Sequence, residues 1–267
     1  MDTTGALALF DRQMRRDAPP ESPTTRIDRG TGVVRQVGAG PHEWCGVLWS
    51  DLDATTADAA IAEQLDWLRT PEAAGREFEW KTYSHDRPAD LGERLRAAGF
   101  VPEPPETLMV GEVGEVAART AGAALPDGVR LVEVTDAAGV ELAADVHEQA
   151  FGTSAERLKA RMLDQIAERG DAVSIVVAMA GDEPVCAARM EFCPGTAFAG
   201  LWGGGTVERW RGRGIYRALV AHRARLAQAR GYGYLQVDAS DQSRPILQRL
   251  GFAPLSVTTP YLITAPR

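Results

Sequence analysis

A strand, a short loop rich in arginine and glycine, and a helix follow one another between Thr196 and Asp238, and no other stretch narrows the choice of fold as far. Thr196 to Thr206 (TAFAGLWGGGT) is apolar, closes on three glycines and a threonine, and reads as a strand. After Thr206 and Val207, the residues Arg211, Gly212, Arg213 and Gly214 open directly into a helical pattern from Ile215 and Tyr216 to Gly231. Such a loop has a definite chemistry. Glycines let the backbone approach a ligand, the first helical turn points unsatisfied N–H groups outward at the positive end of the helix dipole, and arginines add fixed charge. The natural guest is a phosphate or pyrophosphate. A Walker-type loop needs Lys then Ser or Thr after its last glycine, where this chain has Ile215 and Tyr216. A dinucleotide fingerprint needs a third glycine where this chain has Arg217. A plain surface turn rich in arginine is the remaining alternative.

The loop is followed by a helix to Gly231, a strand from Tyr234 to Val237, a helix from Pro245 to Leu250 and the pair Gly251-Phe252. This order resembles the core of the GNAT superfamily of acyl-CoA-dependent N-acyltransferases, most closely from Ala197 to Phe252 and more loosely from Val129 onward. The resemblance implies an α/β chain (α+β by some schemes) with the GNAT fold, a mixed, mostly antiparallel sheet flanked by helices. It implies acetyl-CoA as cosubstrate, its pyrophosphate on the backbone amides of the loop and its pantetheine arm beside a strand that splays from its neighbour. Arg211 and Gly214 match the family's R-x-x-G-x-G/A pattern, whereas Tyr216 stands where the family has Gly or Ala. The cofactor-binding set so implied is Thr206, Val207, Arg211, Gly212, Arg213, Gly214, Ile215, Tyr216, Ser240 and Ser243.

The 267 residues, 45% of them hydrophobic, suffice for two domains with buried cores. Lys plus Arg number 29 and Asp plus Glu 37, a net charge of 29 − 37 = −8, which argues against nucleic acid or an anionic membrane as the main partner. Cys45, Cys186 and Cys193 are odd in number and lack C-x-x-C spacing; they suggest neither a disulfide framework nor a metal site and suit a cytoplasmic protein. No apolar run approaches the ~18 residues of a membrane span. Monomer and homodimer are both compatible with these features.

In the first half, periodicity predicts a helix over Gly5 to Arg16, strands over Gly32 to Val37 and Trp44 to Asp51 around a turn at Gly38 to Pro41, a helix over Ala57 to Arg69, a strand over Glu77 to Tyr83, a helix over Asp90 to Ala98 and a strand over Glu106 to Val113. Gly99-Phe100 after a helix echoes Gly251-Phe252, so the first half reads as a degenerate GNAT-like unit, although ordinary helix C-capping produces the same pair. Between Trp49 and Trp80 nothing resembles the arginine–glycine loop; Leu52-Asp53-Ala54-Thr55-Thr56 holds neither glycine nor arginine. The expected organisation is a degenerate GNAT-like domain over 1–116, a linker rich in small residues over 117–127 and an acetyl-CoA-binding GNAT domain over 128–267, with one CoA per chain.

Transfer of an acetyl group to the primary amine of a small molecule needs a proton acceptor and an acid for the leaving thiolate. Counting back from Gly251-Phe252, the family's acidic tyrosine falls on Leu247. Ser243 is the candidate acid, with an N-cap role before Pro245 as the alternative, and Ser240 falls beside the pantetheine arm. Glu191 is the candidate base, though strand alternation with Arg189 and Cys193 also suits a solvated face. Glu208 suits an ion pair with a loop arginine, His222 a core histidine on the stripe Ile215, Leu219, Leu226, and Trp202 either an acceptor pocket or core packing. His85-Asp86 suits a turn or a cleft wall. Leu247 in place of an acid keeps open a second function, an acetyl-CoA sensor without turnover.

Overall fold

The computed structural model describes every residue except 41–42 and 266–267, so Pro41 of the expected turn lies outside the described residues. The described residues form eight α-helices and twelve strands, divided between two compact units. One unit, which carries the arginine–glycine loop, gathers residues 109–237 and 243–253 together with Met1; the other gathers residues 2–108, 238–242 and the chain from Pro254 onward.

The loop-bearing unit is built on β7 (Val129–Glu133), β8 (Val173–Ala180), β9 (Glu183–Phe192), β10 (Phe198–Thr206) and β11 (Tyr234–Ala239), in the order β11-β10-β9-β8-β7. All neighbours are antiparallel except β10 and β11, which run parallel because α7 (Ile215–Ala229) connects them as a crossover. Alternation along the strands divides the core. Ile175, Val177 and Ala187 face α5 (Ala137–Phe151) and α6 (Glu156–Arg169), packing on Val140, Ala143, Val146 and Met162. Val176, Ala178, Cys186 and Ala188 face the opposite way, onto Ile215 and Leu219 of α7. Burying each of those two α7 side chains contributes about 1.5–3 kcal/mol, which anchors the first turn of the helix under the loop. α5 starts where Asp136 accepts from the Gly139 N–H at 2.9 Å and stops at Gly152, φ +72°.

The N-terminal unit has strand order β1 (Arg26–Arg29), β2 (Val33–Val37), β3 (Cys45–Ser50), β4 (Glu77–Tyr83) and β12 (Ala253–Thr264), with the two-residue β5 (Val101–Pro102) on β12. Its helices are α1 (Thr3–Phe10), which runs on into a π-helical turn over Asp11–Arg16, α2 (Ala57–Leu68) and α3 (Leu91–Ala97). β3, α2 and β4 form a parallel crossover, the counterpart of β10, α7 and β11. The Gly-Phe echo is structural as well. Phe100 N–H bonds the Leu95 carbonyl at 3.0 Å and Phe252 N–H the Leu247 carbonyl at 3.1 Å, with Gly99 and Gly251 at φ +99° and +100° and both phenyl rings buried. The same six-residue closure ends α3 and α8 (Arg244–Arg249).

The units cut the chain differently from the expected boundaries. Ala117 to Thr120, the start of the expected linker, belong to helix α4 (Val113–Thr120): Val113, Val116 and Thr120 recur at i, i+3 and i+7, all buried, and the helix packs on α7. β6 (Glu106–Glu112) is divided between the units after Leu108, and the final strand groups with the N-terminal unit from Pro254. Strand β1, a polar segment without apolar alternation, forms by pairing Arg26 to Arg29 against Val37 to Val34.

Candidate functional site

β10 and β11 pair at Phe198–Tyr234, Ala199–Leu235 and Gly200–Gln236 and nowhere beyond, although β10 continues to Thr206 and β11 to Ala239. The strands have parted at the point where β10 also breaks register with β9. Trp202 opposes Arg189 and Gly205 opposes Ala187, so Gly203 and Gly204 together face Ala188, a β-bulge with Gly203 at φ +57°. A bulge turns the strand's exit. It leads through Thr206, whose hydroxyl lies 3.1 Å from the Cys186 sulfur, and buried Val207, whose N–H bonds the Val185 carbonyl, into the loop.

The loop presents an uncapped helix. Gly212 and Gly214 sit at φ +75° and +82°, conformations that cost an L-residue about 1–2 kcal/mol, and no side chain caps α7. α5, by contrast, has Asp136 on its first turn. Ile215 is buried and fixes the turn beneath; Gly212, Arg213 and Gly214 are exposed. Arg211 acts as a latch: Nε donates to the Thr206 carbonyl and Nη2 to the Ala150 carbonyl, both at 3.1 Å. The Arg213 guanidinium lies 4.5 Å from the Trp210 ring centroid, the Trp210 indole donates to Glu183, and Arg209 pairs with Glu183. Arg217 donates to the Arg119 carbonyl of α4.

Tyr216, the departure from the family pattern, turns away from the loop. A Cβ on Gly204 would stand 2.9 Å from its ring, so the ring fills the space that the glycine leaves. Burial pushes its hydroxyl up, against the pull of the neighbouring Arg223 guanidinium. Arg223 is itself buried; it donates to the Leu219 and Arg189 carbonyls and pairs with the Tyr216 hydroxyl, and burial lowers its pKa. On the opposite face a Cβ on Gly205 would stand 2.7 Å from the Phe151 ring. The glycine run is thus a packing device, and its complement to Tyr216 was signalled in the sequence only by the run itself.

Glu191 comes to lie among cations. Its carboxylate meets Arg169 at 2.8 Å, Arg189 at 3.3 Å and Arg161 at 3.9 Å, and accepts from Gln165 at 2.8 Å. Burial alone would raise its pKa, but Arg189, Arg161 and Arg169 outweigh burial and hold it well below the usual carboxylate range. A carboxylate so stabilised is a weak proton acceptor, and the arrangement suits an ionic tie between α6 and β9 better than the expected general base. Ser243 takes the N-cap position of α8, its carbonyl accepting from Ile246 and Leu247 at 3.0 Å while its side chain makes no capping bond; Leu247 is fully buried. Ser240 lies in the segment Asp238–Gln242, which groups with the N-terminal unit. His222, half-buried on α7, has a lowered pKa from burial and an unpartnered Nε2.

In the N-terminal unit the corresponding features are filled from within the chain. Before α2, Asp53 Oδ1 accepts from the Thr55 and Thr56 N–H groups at 2.8 and 2.9 Å and from both hydroxyls. These bonds hold Asp53 down to about 2, so a fixed carboxylate occupies the turn that leads into α2, where it opposes the approach of a second anion. β3 and β4 pair only at Gly46–Glu79 and Val47–Trp80 before parting. Beyond that point Arg15 fills the gap. Nε donates to the Leu48 carbonyl, the guanidinium lies 3.7 Å from the Tyr83 centroid and 4.6 Å from that of Trp49, and Nη2 makes both oxygens of Asp86 at 2.8 and 2.9 Å. His85 bonds Asp11 and Ser256, and Asp86 also accepts from the Tyr83 N–H, so the pair His85-Asp86 fastens the π-helical turn. Among the described residues no group of His, Cys, Asp and Glu could hold a metal, and no helix is long and apolar enough to cross a membrane.

Residues 137–252 match the model of the acetyltransferase (GNAT) family. No protein of curated function matches the chain in sequence. Among solved structures, the chain is similar in fold to a GCN5-related N-acetyltransferase from Kribbella flavida (18% identity, 99% of this chain and 94% of that one, TM-score 0.62). It is similarly close to a functionally unknown conserved protein from Staphylococcus epidermidis (14% identity, 94% and 97%, TM-score 0.67). A tandem GNAT protein from the clavulanic acid biosynthesis pathway also aligns, at 17% identity over 98% and 94% with a TM-score of 0.60.

Proposed function

From the match of residues 137–252 to the acetyltransferase (GNAT) family model we propose that the chain is an acetyl-CoA-dependent N-acetyltransferase that acts on the primary amine of a small molecule and binds one CoA per chain. The observation that carries the reading is the uncapped, glycine-flanked start of α7, set directly after a strand that parts from its parallel neighbour. The amides of Gly212 to Tyr216 are the groups suited to the pyrophosphate, and Thr206, Val207 and the parted edge of β10 are suited to the pantetheine arm. Arg211 contributes by fixing the loop through carbonyls, and Arg213 by charge. Bound acetyl-CoA supplies an activated thioester; the chain's part is to orient it and to keep its phosphates on preset dipoles at little reorganisation cost. Asp53 and Arg15 support a single site, because a carboxylate stands in the turn before α2 and a guanidinium in the strand gap of the N-terminal unit.

A second reading, an acetyl-CoA sensor, is favoured by buried Leu247 at the place of the family's acid. Acetyl-CoA at 100 times its dissociation constant is expected to stabilise the protein by ~2.7 kcal/mol. Gly214→Asp, which puts a carboxylate and a strained backbone at the phosphate position, is expected to abolish that shift. A full shift in the variant refutes the loop assignment. Free thiol released from acetyl-CoA on addition of primary amines supports the enzyme, and binding with no release across an amine panel supports the sensor.

A further inference from the structure

The N-terminal unit holds a second group of charges that the loop does not use. Lys81 and Glu79 lie on one face of β4, with Tyr83 next along the strand, and the paired register places Thr258 and Pro260 of β12 on that same face. The Lys81 ammonium meets Asp238 Oδ2 at 2.8 Å and stands 3.9 Å from Glu79 Oε1. Asp238 Oδ1 is buried without a hydrogen-bond partner, and its side chain is 7% exposed; the hydroxyl of Thr258, fully buried, is also without one. Glu106 is close enough that, after burial, Asp238 is the strongest influence raising its pKa, to about 7. Two carboxylates, Asp238 and Glu79, therefore flank one ammonium, Glu106 feels the charge of both Asp238 and Lys81, and two buried polar atoms lack hydrogen-bond partners. A buried acceptor left unsatisfied is destabilising, more so if charged, so the group is built at a cost that a donor would remove.

We propose that this group is the receiving station for a ligand ammonium, with Lys81 as a resident counter-ion that the ligand displaces. The incoming ammonium donates to Asp238 and Thr258 while the Lys81 head, on its flexible four-carbon stem, moves from Asp238 to Glu79. The charges suit the exchange: Glu79, Glu106 and Asp238 offer up to three negative charges, enough for two cations. Asp238 follows Gln236, the last β11 residue paired with β10, by two residues in the sequence. The inference rests on the amine-acceptor reading and assigns its specificity to a cationic amine and not a neutral one.

The test uses hexylamine as probe and hexanol as a neutral control of equal length, on the full chain without acetyl-CoA, so that its outcome is independent of the loop. The Trp44 indole N–H donates to Glu79 Oε2 at 2.8 Å, so the arrival of Lys81 at Glu79 is read from its NMR resonance, assigned with Trp44→Phe. Hexylamine is expected to shift that resonance saturably and hexanol not. Asp238→Asn is expected to weaken the amine at least tenfold, whereas Lys81→Met, which removes the resident competitor, is expected to strengthen it at least tenfold. Opposite signs separate a station from a merely structural ion pair, for which both variants move the same way. Variants that move together, or hexylamine and hexanol that act alike, overturn the proposal. Should either variant fail to fold, the comparison of amine with alcohol on the parent chain decides it, as does Thr258→Val, expected to weaken the amine; an unchanged affinity there counts against the station.

Discussion

Replacing Arg15 with methionine should release the segment that closes the N-terminal unit, at a cost that follows from its contacts. The guanidinium is 2% exposed and Asp86 4%, joined by two bonds at 2.8 and 2.9 Å, with Asp11 at 2.8 Å on the other side. Methionine keeps most of the stem's packing and removes every donor, so Asp86 is left buried without its cation. Breaking a buried pair from one side costs about 3–5 kcal/mol. The lost stacking on Tyr83 and Trp49 belongs to the same cation, at about 1–2 kcal/mol for a desolvated contact, and is not independent of the pair. Taking about 3–5 kcal/mol for the whole, and about 2–4 °C of Tm per kcal/mol for a chain of this order, the shift is about 6–20 °C. Differential scanning calorimetry of the parent and Arg15→Met reads it directly. Adding Asp86→Asn removes the stranded charge and should return part of the loss. A single-variant cost below about 1 kcal/mol refutes the view that the guanidinium holds the turn in place. Titration with acetyl-CoA should still give one site in Arg15→Met, because Asp53 keeps its place at the start of α2; a stoichiometry near two refutes the account of the N-terminal unit.

Gly204→Ala places a methyl 2.9 Å from the Tyr216 ring and should destabilise by about 1–3 kcal/mol, with Tyr216→Ala in the same chain relieving the clash; costs that simply add in a double-mutant cycle exclude the packing complement. Glu191 has a depressed folded-state pKa, so the stability it contributes is present above its unfolded pKa of about 4.5 and is lost as the pH falls below that value toward the folded pKa. Urea midpoints measured from pH 6 to pH 3 should therefore fall more steeply for the parent than for Glu191→Gln, and parallel curves refute the ionic tie.

Much of the molecule could be read without coordinates because its signals are local. Gly212 and Gly214 state a sharp turn ahead of a helix through residue type alone, since only glycine takes φ near +80° without strain. Ile215 and Leu219 at helical spacing state which side of α7 is buried, and Gly-Phe after each terminal helix states a closure that the backbone then makes twice. What the sequence could not state was pairing across distance. That Glu191 meets three arginines, that Arg15 enters the gap beside Leu48, and that β12 groups with the N-terminal unit all depend on which strands lie side by side. Periodicity fixes the face on which a side chain stands, but a charge takes its pKa and its role from neighbours many residues away. Asp238 carries the same letter in any fold; that one of its oxygens meets Lys81 of β4 while the other is buried without a partner is decided by the strands around it.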